Sequence, residues 1–490
     1  MTLATPEAPP VGDRRRLAAR GVLINSAFLV IVGTLNLLRA VGVAGFLTAA
    51  EFGIWSAVAL LAALAVALKT AAVSDKYIQQ DEPDQEVAFQ KAFTLELISA
   101  VILVVATAAF VPILAIIYGE PEMLGPGFAL VALIPGLALQ LPIMVYYRRM
   151  DFVRQRLLMV VDPVVAFVAS IGLAIAGYGI WSLVIGTIAG AWAGGFAALA
   201  ARPYPLGWRY DRRAAREYFS FSWPLLIGAG GAIVAAQLML VFGEVALGLA
   251  GVGAIGLASA ITAYTDRVDA VVTQALYPAI CRVRDRTDLL FEAFVKSNRL
   301  TLMWGMPFGL GLALFAPDLV TYALGESWRD ATTLLQVFGA VAAINHVGFN
   351  WTAFLRAVGN TKPIATVSYL GLGVMLGLGV PLMFVSGLDG FAVGVALGGA
   401  VSLVARWHYI RQLFPHSSAA RQLGRAVAPS IPAVLAVLAL RAVEPSRGSE
   451  WVLIELGAYV AITVVATWLL ERVLLREAIS YIHRPAPAEA

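Results

Sequence analysis

Apolar runs of membrane-spanning length recur along the whole chain, and they constrain its fold more than any other feature. About 20 apolar residues suffice for one helix to cross the hydrocarbon core of a bilayer. A backbone in hydrocarbon must satisfy its own hydrogen bonds, so runs of this length are expected to be helices. The sequence contains fourteen such segments, at 18–42, 52–74, 91–117, 123–147, 157–176, 178–200, 218–245, 252–280, 297–318, 331–357, 361–385, 388–410, 422–441 and 451–472.

Composition agrees with an all-α, polytopic membrane protein. Of the 490 residues, 60% are hydrophobic and only 13% are charged, whereas soluble domains carry about 25% charged residues. The single Cys281 excludes a disulfide framework, and the four histidines show no ligand spacing. We therefore expect no metal and no cofactor. The basic residues lie in short loops between apolar spans, which argues against nucleic acid as a partner.

Lysine and arginine are distributed unevenly over the predicted loops. With the N-terminus in the cytoplasm, 30 of the 35 basic residues fall on the cytoplasmic side and three fall in outer loops. Arg39 and Arg267 lie inside spans. Cytoplasmic loops of membrane proteins are enriched in Lys and Arg, so the bias predicts that both termini are cytoplasmic. The polar N-terminal tail has no small-residue cleavage site, and we expect the first span to be retained.

A weak internal repeat predicts two halves in the same orientation. Leu47, Ala50 and Gly53 open the second segment, and the same residue types open the eighth segment at a constant offset of 200. Six helices per half would give a parallel repeat about an axis along the membrane normal. The expected division is an N-terminal tail, an N-terminal lobe, a basic linker, a C-terminal lobe, two extra helices and a C-terminal tail, at 1–17, 18–200, 201–217, 218–412, 413–475 and 476–490.

Ionisable residues in the middle of the eighth segment predict a polar path through the membrane. Asp266, Arg267 and Asp269 lie near the centre of this apolar run, where charges must face protein or water. Asp266 and Asp269 continue one helical face, and Arg267 and Gln274 lie on a second polar row beside it. Arg267 can line a cavity or pair structurally with an aspartate. The two aspartates would repel if both were ionised, so the pair is a candidate proton site.

Polar residues in other segments are further candidates for a cavity. Asn25, Asn36 and Arg39 lie in the first segment, and Gln237 lies in the seventh. Arg39 can either line a cavity or extend to the outer headgroups. The two asparagines can also serve as hydrogen-bonding contacts between helices. Asp162 is expected to reach water at a cytoplasmic helix end, which leaves no deep carboxylate in the N-terminal half.

Several short motifs, in order and spacing, resemble one known family. They are Tyr118-Gly119 with Pro121, Arg149-Met150-Asp151-Phe152, Gly177-Tyr178-Gly179-Ile180-Trp181, Leu247…Gly253…Ala258…Asp266-Arg267…Tyr277-Pro278, and the run from Leu355 to Lys362. Over about residues 15–415 the chain resembles the oligosaccharide flippases, which carry O-antigen or exopolysaccharide repeat units. These flippases belong to the multidrug/oligosaccharidyl-lipid/polysaccharide exporter superfamily.

The resemblance implies two six-helix lobes around a central cavity, plus two extra helices. It also implies transfer of an undecaprenyl-diphosphate-linked oligosaccharide across the bacterial inner membrane. In related lipid II flippases a basic residue of the eighth helix lines the cavity, and Arg267 matches it by helix and depth. The expected partners are this lipid-linked oligosaccharide, membrane lipids, and polysaccharide polymerase or export machinery. The candidate cavity residues are Arg267, Asp266, Asp269, Arg39, Asn36, Asn25, Gln237 and Gln274.

Three other functions remain as alternatives. A drug/cation antiporter of the same superfamily would need a compact carboxylate site in the N-terminal half. A membrane glycosyltransferase or polymerase would need a large loop with catalytic carboxylates. The sequence has no Walker lysine loop, no Gly-x-Ser-x-Gly motif and no long soluble insertion, so we expect a protein that is not an enzyme. A scaffold in an export complex would have no need for a polar stripe in mid-membrane.

Overall fold

A computed structural model describes residues 11–69, 73–283, 285–360, 362–415, 424, 427–444 and 448–483. Within these ranges the regular structure is entirely helical, which confirms the predicted all-α class. The helices are α1 Val11–Ala44, α2 Ala49–Lys69, α3 Asp75–Gln79, α4 Gln85–Tyr118, α5 Leu124–Val131, α6 Leu133–Ala138, α7 Ile143–Arg148, α8 Phe152–Ile175, α9 Trp181–Ala200, α10 Arg212–Arg282, α11 Thr287–Leu319, α12 Thr332–Asn345, α13 Trp351–Ala357, α14 Lys362–Val374, α15 Val380–Leu413, α16 Ser430–Val443 and α17 Ser449–His483.

Each of the fourteen predicted segments overlaps helical structure, although the boundaries differ. Helix α10 contains both the seventh and the eighth segment, and it is interrupted at Gly248, where φ is 70°. Helix α15 is interrupted in the same way at Ser386 and Gly387. Among the described residues, nine helical stretches are long and apolar enough to cross a membrane by themselves. The other predicted spans are short helices or are merged into longer ones.

The fourth predicted span is the least regular. It consists of the short helices α5, α6 and α7, which follow a 3₁₀ turn at Pro121–Met123. Pro126, Pro135 and Pro142 lie at or near the starts of the three helices. A proline has no N–H to donate to the preceding turn and clashes with it, so a continuous helix is broken at these points.

Small residues bring two pairs of helices into close contact. Helix α2 crosses the second part of α10 at Gly53 and Gly253. Helix α9 packs on α8 through Gly186 and Gly190, whose Cα atoms face Ser170 and Asp162. In hydrocarbon, where helices gain little from hydrophobic association, small residues allow the backbone contact that holds them together.

The segment between α9 and α10 packs against the end of α4. The backbone N–H of Arg209 donates to Thr94 Oγ1 at 2.8 Å, and Arg149 donates to the hydroxyl of Tyr204 at 2.8 Å. Asp211 accepts from the first backbone N–H groups of α10 and forms an ion pair with Lys91 at 3.1 Å. Helix α10 begins at Arg212, inside the predicted linker 201–217. The residues between the end of α9 and Arg212 therefore lie along α4 and are held there by these contacts.

Ion pairs attach the last two helices to α11. Arg441 of α16 contacts Asp318 at 2.6 Å and Glu455 of α17 at 3.1 Å. Further along α17, Glu471 is 1% exposed and pairs with Arg299 of α11. Because each carboxylate is buried and paired, these contacts fix the position of α16 and α17 on α11.

Candidate transport cavity

A cavity of about 760 Å³ lies where α1, α2 and α10 meet. Asn36 and Arg39 of α1 line it, together with Trp55 and Ser56 of α2 and Ser259 of α10. Leu183 of α9, Phe338 of α12 and Phe391 of α15 complete much of the wall. The cavity is mostly apolar but has a cation and several hydroxyl, amide and aromatic groups on one side. Such a surface suits a ligand that has both charged and hydroxyl-rich parts.

Arg39 is held by partners on two other helices. Its Nε donates to Ser170 Oγ of α8 at 2.8 Å. One terminal nitrogen donates to the carbonyl oxygen of Leu183 at 2.9 Å and also to the hydroxyl of Thr187. The guanidinium therefore points inward toward α8 and α9, and not outward as the headgroup alternative requires.

All hydrogen-bonding partners of Arg39 are neutral. In the described part of the chain its Nη1 atom has no hydrogen-bond partner, and no carboxylate lies within ion-pair distance of the guanidinium. Among the described residues, the carboxylate of Asp162 attracts the guanidinium from further away. A cation that is fixed in place by neutral groups keeps its charge available for an anion.

The structure describes the side chains of only two of the other predicted site residues, and one of these two lines the cavity. Asn36 lines the cavity, as Arg39 does. Gln237 is not among the residues that line it, because its amide donates to the hydroxyl of Tyr118 on α4 at 2.9 Å. The side chains of the remaining candidates fall outside those that the structure describes: Asn25, Asp266, Arg267, Asp269 and Gln274.

Asp162, which the sequence predicts to reach water, is partly exposed and also packs against neighbouring helices. Gln140 donates to its carboxylate at 3.1 Å, and the Cα atoms of Gly190 and Gly194 on α9 face this residue. Asp162 is thus half-buried where α8, α9 and the fourth span meet. The glycines at every fourth position of α9 are the sequence signal for this close contact, and they were not used in the prediction.

A second, apolar groove of about 580 Å³ runs between α11 and α17. Trp304 and Phe308 line it on α11, and Thr463 and Trp468 line it on α17. Rings of Trp304 and Phe308 pack on Tyr264 of α10, with ring centroids 5.6 and 5.5 Å apart. The Tyr264 hydroxyl lies 3.0 Å from the hydroxyl of Thr34 on α1. These aromatic residues connect the groove to the seam between α1 and α10. No cluster of metal-ligating side chains occurs in the described parts of the molecule.

Comparison with solved structures identifies the class of fold. The lipid II flippase MurJ, in an inward closed conformation, aligns with a TM-score of 0.66 at 12% identity, over 93% of this chain and 100% of that chain. An inward-facing multidrug resistance MATE family transporter of the MOP superfamily aligns with a TM-score of 0.57 at 16% identity, over 81% of this chain and 96% of the other. At these identities the similarity concerns the fold alone: the chain has the helical fold of MOP superfamily transporters.

The family is defined by sequence. Residues 43–333, more than half of the chain, match the family described as polysaccharide biosynthesis protein, and the chain belongs to that family. The lipopolysaccharide biosynthesis protein WzxC of Escherichia coli (strain K12) is 26% identical over 132 residues, or 27% of this chain. The matched stretch spans only 26% of the length of WzxC. The family match confirms the predicted relationship to polysaccharide biosynthesis proteins, and the fold resembles that of MOP superfamily transporters.

Proposed function

We propose that this protein flips undecaprenyl-diphosphate-linked oligosaccharide repeat units across the bacterial inner membrane for polysaccharide biosynthesis. The observation that carries the proposal is Arg39, a cation with neutral hydrogen-bonding partners that faces a cavity of about 760 Å³. Membership in a polysaccharide biosynthesis family supports the class of cargo. The similarity to a lipid II flippase in fold is consistent with a lipid-linked cargo.

The diphosphate is the part of the cargo that is most costly to transfer through hydrocarbon. A phosphate anion in hydrocarbon loses its hydration, which costs many kcal/mol. The Nη1 group of Arg39 offers charge-assisted hydrogen bonds that replace water at a phosphate oxygen. Arg267, which is predicted to lie deeper in the membrane, would supply a second cation along the path.

The sugar and lipid parts have separate surfaces in this scheme. Asn36, Ser56 and Ser259 in the cavity can exchange hydrogen bonds with sugar hydroxyls, and Trp55 offers an aromatic face. The apolar groove between α11 and α17 can hold part of the polyprenyl chain. The Thr34–Tyr264 contact lies between these two surfaces and would have to open when a lipid passes.

Transport would follow alternating access between two lobes. We assign residues 18–200 to one lobe and 218–412 to the other, with 201–217 as the linker and 413–475 as the two extra helices. Both termini are placed in the cytoplasm on the basis of the loop charges. The tails are 1–17 and 476–490. A polysaccharide polymerase or export machinery would receive the cargo on the outer side.

The experiment that tests this function measures the cargo in cells. A strain in which the gene is deleted should lose surface polysaccharide and accumulate the lipid-linked oligosaccharide in the inner leaflet. Expression of the intact chain should reverse both effects. A deletion strain that keeps normal surface polysaccharide, with no accumulation of lipid-linked sugar, would contradict the proposal.

A drug/cation antiporter is the second candidate, and Asp162 is the observation that favours it. An antiporter of this superfamily would need a carboxylate in the N-terminal half, and Asp162 with Gln140 provides a half-buried one. Its proximity to Arg39 weighs against this reading, because a resident cation repels a second cation. Increased drug susceptibility of the deletion strain, restored by the intact chain but not by Asp162→Asn, would favour the antiporter.

A further inference from the structure

Helix α2 and the second part of α10 make a reciprocal backbone contact. A Cβ atom added to Gly53 would overlap the carbonyl oxygen of Leu249, and one added to Gly253 would overlap the carbonyl oxygen of Ala49. Each residue is related to its counterpart by the same offset of 200 in sequence. The contact is therefore symmetric between the two halves of the repeat. Neither glycine can acquire a side chain while the two helices remain this close.

This crossing separates two cavities. On one side, Phe52, Ser56 and Gly256 line the cavity of about 760 Å³ that contains Arg39. On the other side, Ala49 and Ala250 line a polar pocket of about 440 Å³. The helices touch between the two spaces, with Ala49, Val252 and Ala254 all buried. Cargo that moves from the first cavity to the second must part this contact.

Trp328, which belongs to neither α2 nor α10, also contacts the region of this crossing. It lies in the 3₁₀ turn Glu326–Ala331 between α11 and α12, and its side chain is 0% exposed. The indole N–H donates to the carbonyl oxygens of Ala44 and Leu47, each at 3.1 Å. Its ring packs edge-on against Phe52 of α2, with centroids 5.5 Å apart.

The two carbonyl acceptors define what Trp328 restrains. Ala44 is the last residue of α1, and Leu47 belongs to the turn that leads into α2. The Ala44 carbonyl oxygen also accepts from the backbone N–H of Leu47 at 3.2 Å, so the indole adds a second donor to this turn. The indole thus fastens the α1–α2 turn to the segment between α11 and α12. Opening the crossing would break these hydrogen bonds and expose a large aromatic side chain.

We propose that Trp328 is a latch on a gate formed by the Gly53–Gly253 crossing, and that release of the latch opens this end of the cavity. The inference rests on the proposed role of the cavity as the transport path. It does not depend on which cargo the protein carries. The structure described here corresponds to the latched state, because the indole is fully buried and both of its hydrogen bonds are formed.

Cysteine labelling in a Cys281→Ala background tests the latch. Ser259→Cys places a thiol in the cavity of about 760 Å³, and a membrane-impermeant maleimide is added to intact cells or to inside-out vesicles. Ser327→Cys, beside the latch, identifies the side on which Trp328 lies. From that side, Trp328→Phe should raise the labelling rate of Ser259→Cys about five- to tenfold, because the ring remains but the shared N–H donor is lost. Trp181→Phe, at an exposed helix start, should leave the rate unchanged.

A second variant decides the question if Trp328→Phe is poorly produced. Gly53→Ala should raise the same labelling rate, because the added methyl group cannot coexist with the closed crossing. Gly172→Ala is the matched control, since nothing lies within 4 Å of the added methyl group. Unchanged labelling in both Trp328→Phe and Gly53→Ala would overturn the latch. Loss of the flippase function alone would leave it standing, since labelling requires no cargo.

Discussion

Arg39 and Arg441 each donate to a backbone carbonyl oxygen within the helical bundle, yet the charges of their side-chain partners differ. Arg441, near the end of the groove between α11 and α17, contacts the carboxylates of Asp318 and Glu455. Arg39, in the cavity, is held by two hydroxyls and a backbone carbonyl. Under the proposed function, one of these cations has a structural role and the other binds an anion. The charge of the partners distinguishes the two roles.

The largest effect is expected at Arg267, the other arginine that is predicted to lie inside a span. If it binds the diphosphate, as we propose for Arg39, Arg267→Ala should abolish polysaccharide export at nearly normal protein abundance, and Arg267→Lys should retain part of it. If it resembles Arg441, its removal should leave a buried carboxylate and reduce abundance. Immunoblots and surface polysaccharide, measured in the same cells, separate the two outcomes.

The double variants with Asp266→Asn or Asp269→Asn complete this test. A structural partner should restore both abundance and export when the pair is made neutral. A binding role predicts no restored export, because the neutral pair has no cation. Restored export in either double variant would thus indicate that Arg267 has a structural role, as Arg441 does, and does not bind the diphosphate.

At Arg441 the comparison predicts a stability effect. Arg441→Ala removes the cation that contacts two buried carboxylates, which should cost about 3–5 kcal/mol and lower both abundance and melting temperature. Arg329→Ala is the control, because its ion pair with Glu326 is exposed and 3.8 Å long, and such pairs contribute about 0–1 kcal/mol. An Arg441→Ala protein with the parent's melting temperature would contradict the structural role of Arg441.

Smaller changes in thermal stability are expected for a threonine that lines the groove and for one that contacts Arg39. Thr463 lines the groove, is 8% exposed, and has a hydroxyl with no hydrogen-bond partner among the described residues. Thr463→Val should therefore stabilise the protein by up to about 1 kcal/mol. Thr187→Val, which removes a partner of Arg39, should destabilise it. Thermal unfolding in detergent measures both, and a lower melting temperature for Thr463→Val would refute the assignment.

The smallest effect is expected outside the membrane. The hydrogen bond from Lys91, aided by the backbone N–H groups of Arg213 and Ala214, lowers the pKa of Asp211 below its usual range. A carboxylate with a lowered pKa stabilises the fold above its ordinary pKa, and this contribution disappears as the pH falls through the lowered value. The difference in melting temperature between the parent and Asp211→Asn should therefore shrink on acidification. A difference that grows in acid would contradict this account.

The sequence was sufficient to predict the helices, because each span has to be apolar over a whole bilayer thickness. It also indicated Arg39 and Asn36 as cavity residues, since polar groups inside spans need polar surroundings. The fragmentation of the fourth span is traceable to its prolines, but periodicity alone assigns one helix there.

Contacts between distant segments could not be predicted in this way. Arg441 is the last residue of the predicted segment 422–441, and nothing in the sequence indicates that it pairs with carboxylates on α11 and α17. Trp328 looks like any interfacial tryptophan in the sequence, and only the fold brings it to the end of α1. Helical periodicity specifies the face on which a residue lies, but not the helix that this face meets.

The export rate per molecule of the Arg39 variants tests the central claim most directly. Surface polysaccharide is divided by protein abundance for the parent, Arg39→Ala, Arg39→Lys and Arg441→Ala. We predict that Arg39→Ala loses nearly all export per molecule, that Arg39→Lys keeps an intermediate rate, and that the Arg441→Ala molecules that do fold export at the parent's rate. Parental export per molecule by Arg39→Ala would contradict the assignment of Arg39 as the group in the cavity that binds the diphosphate.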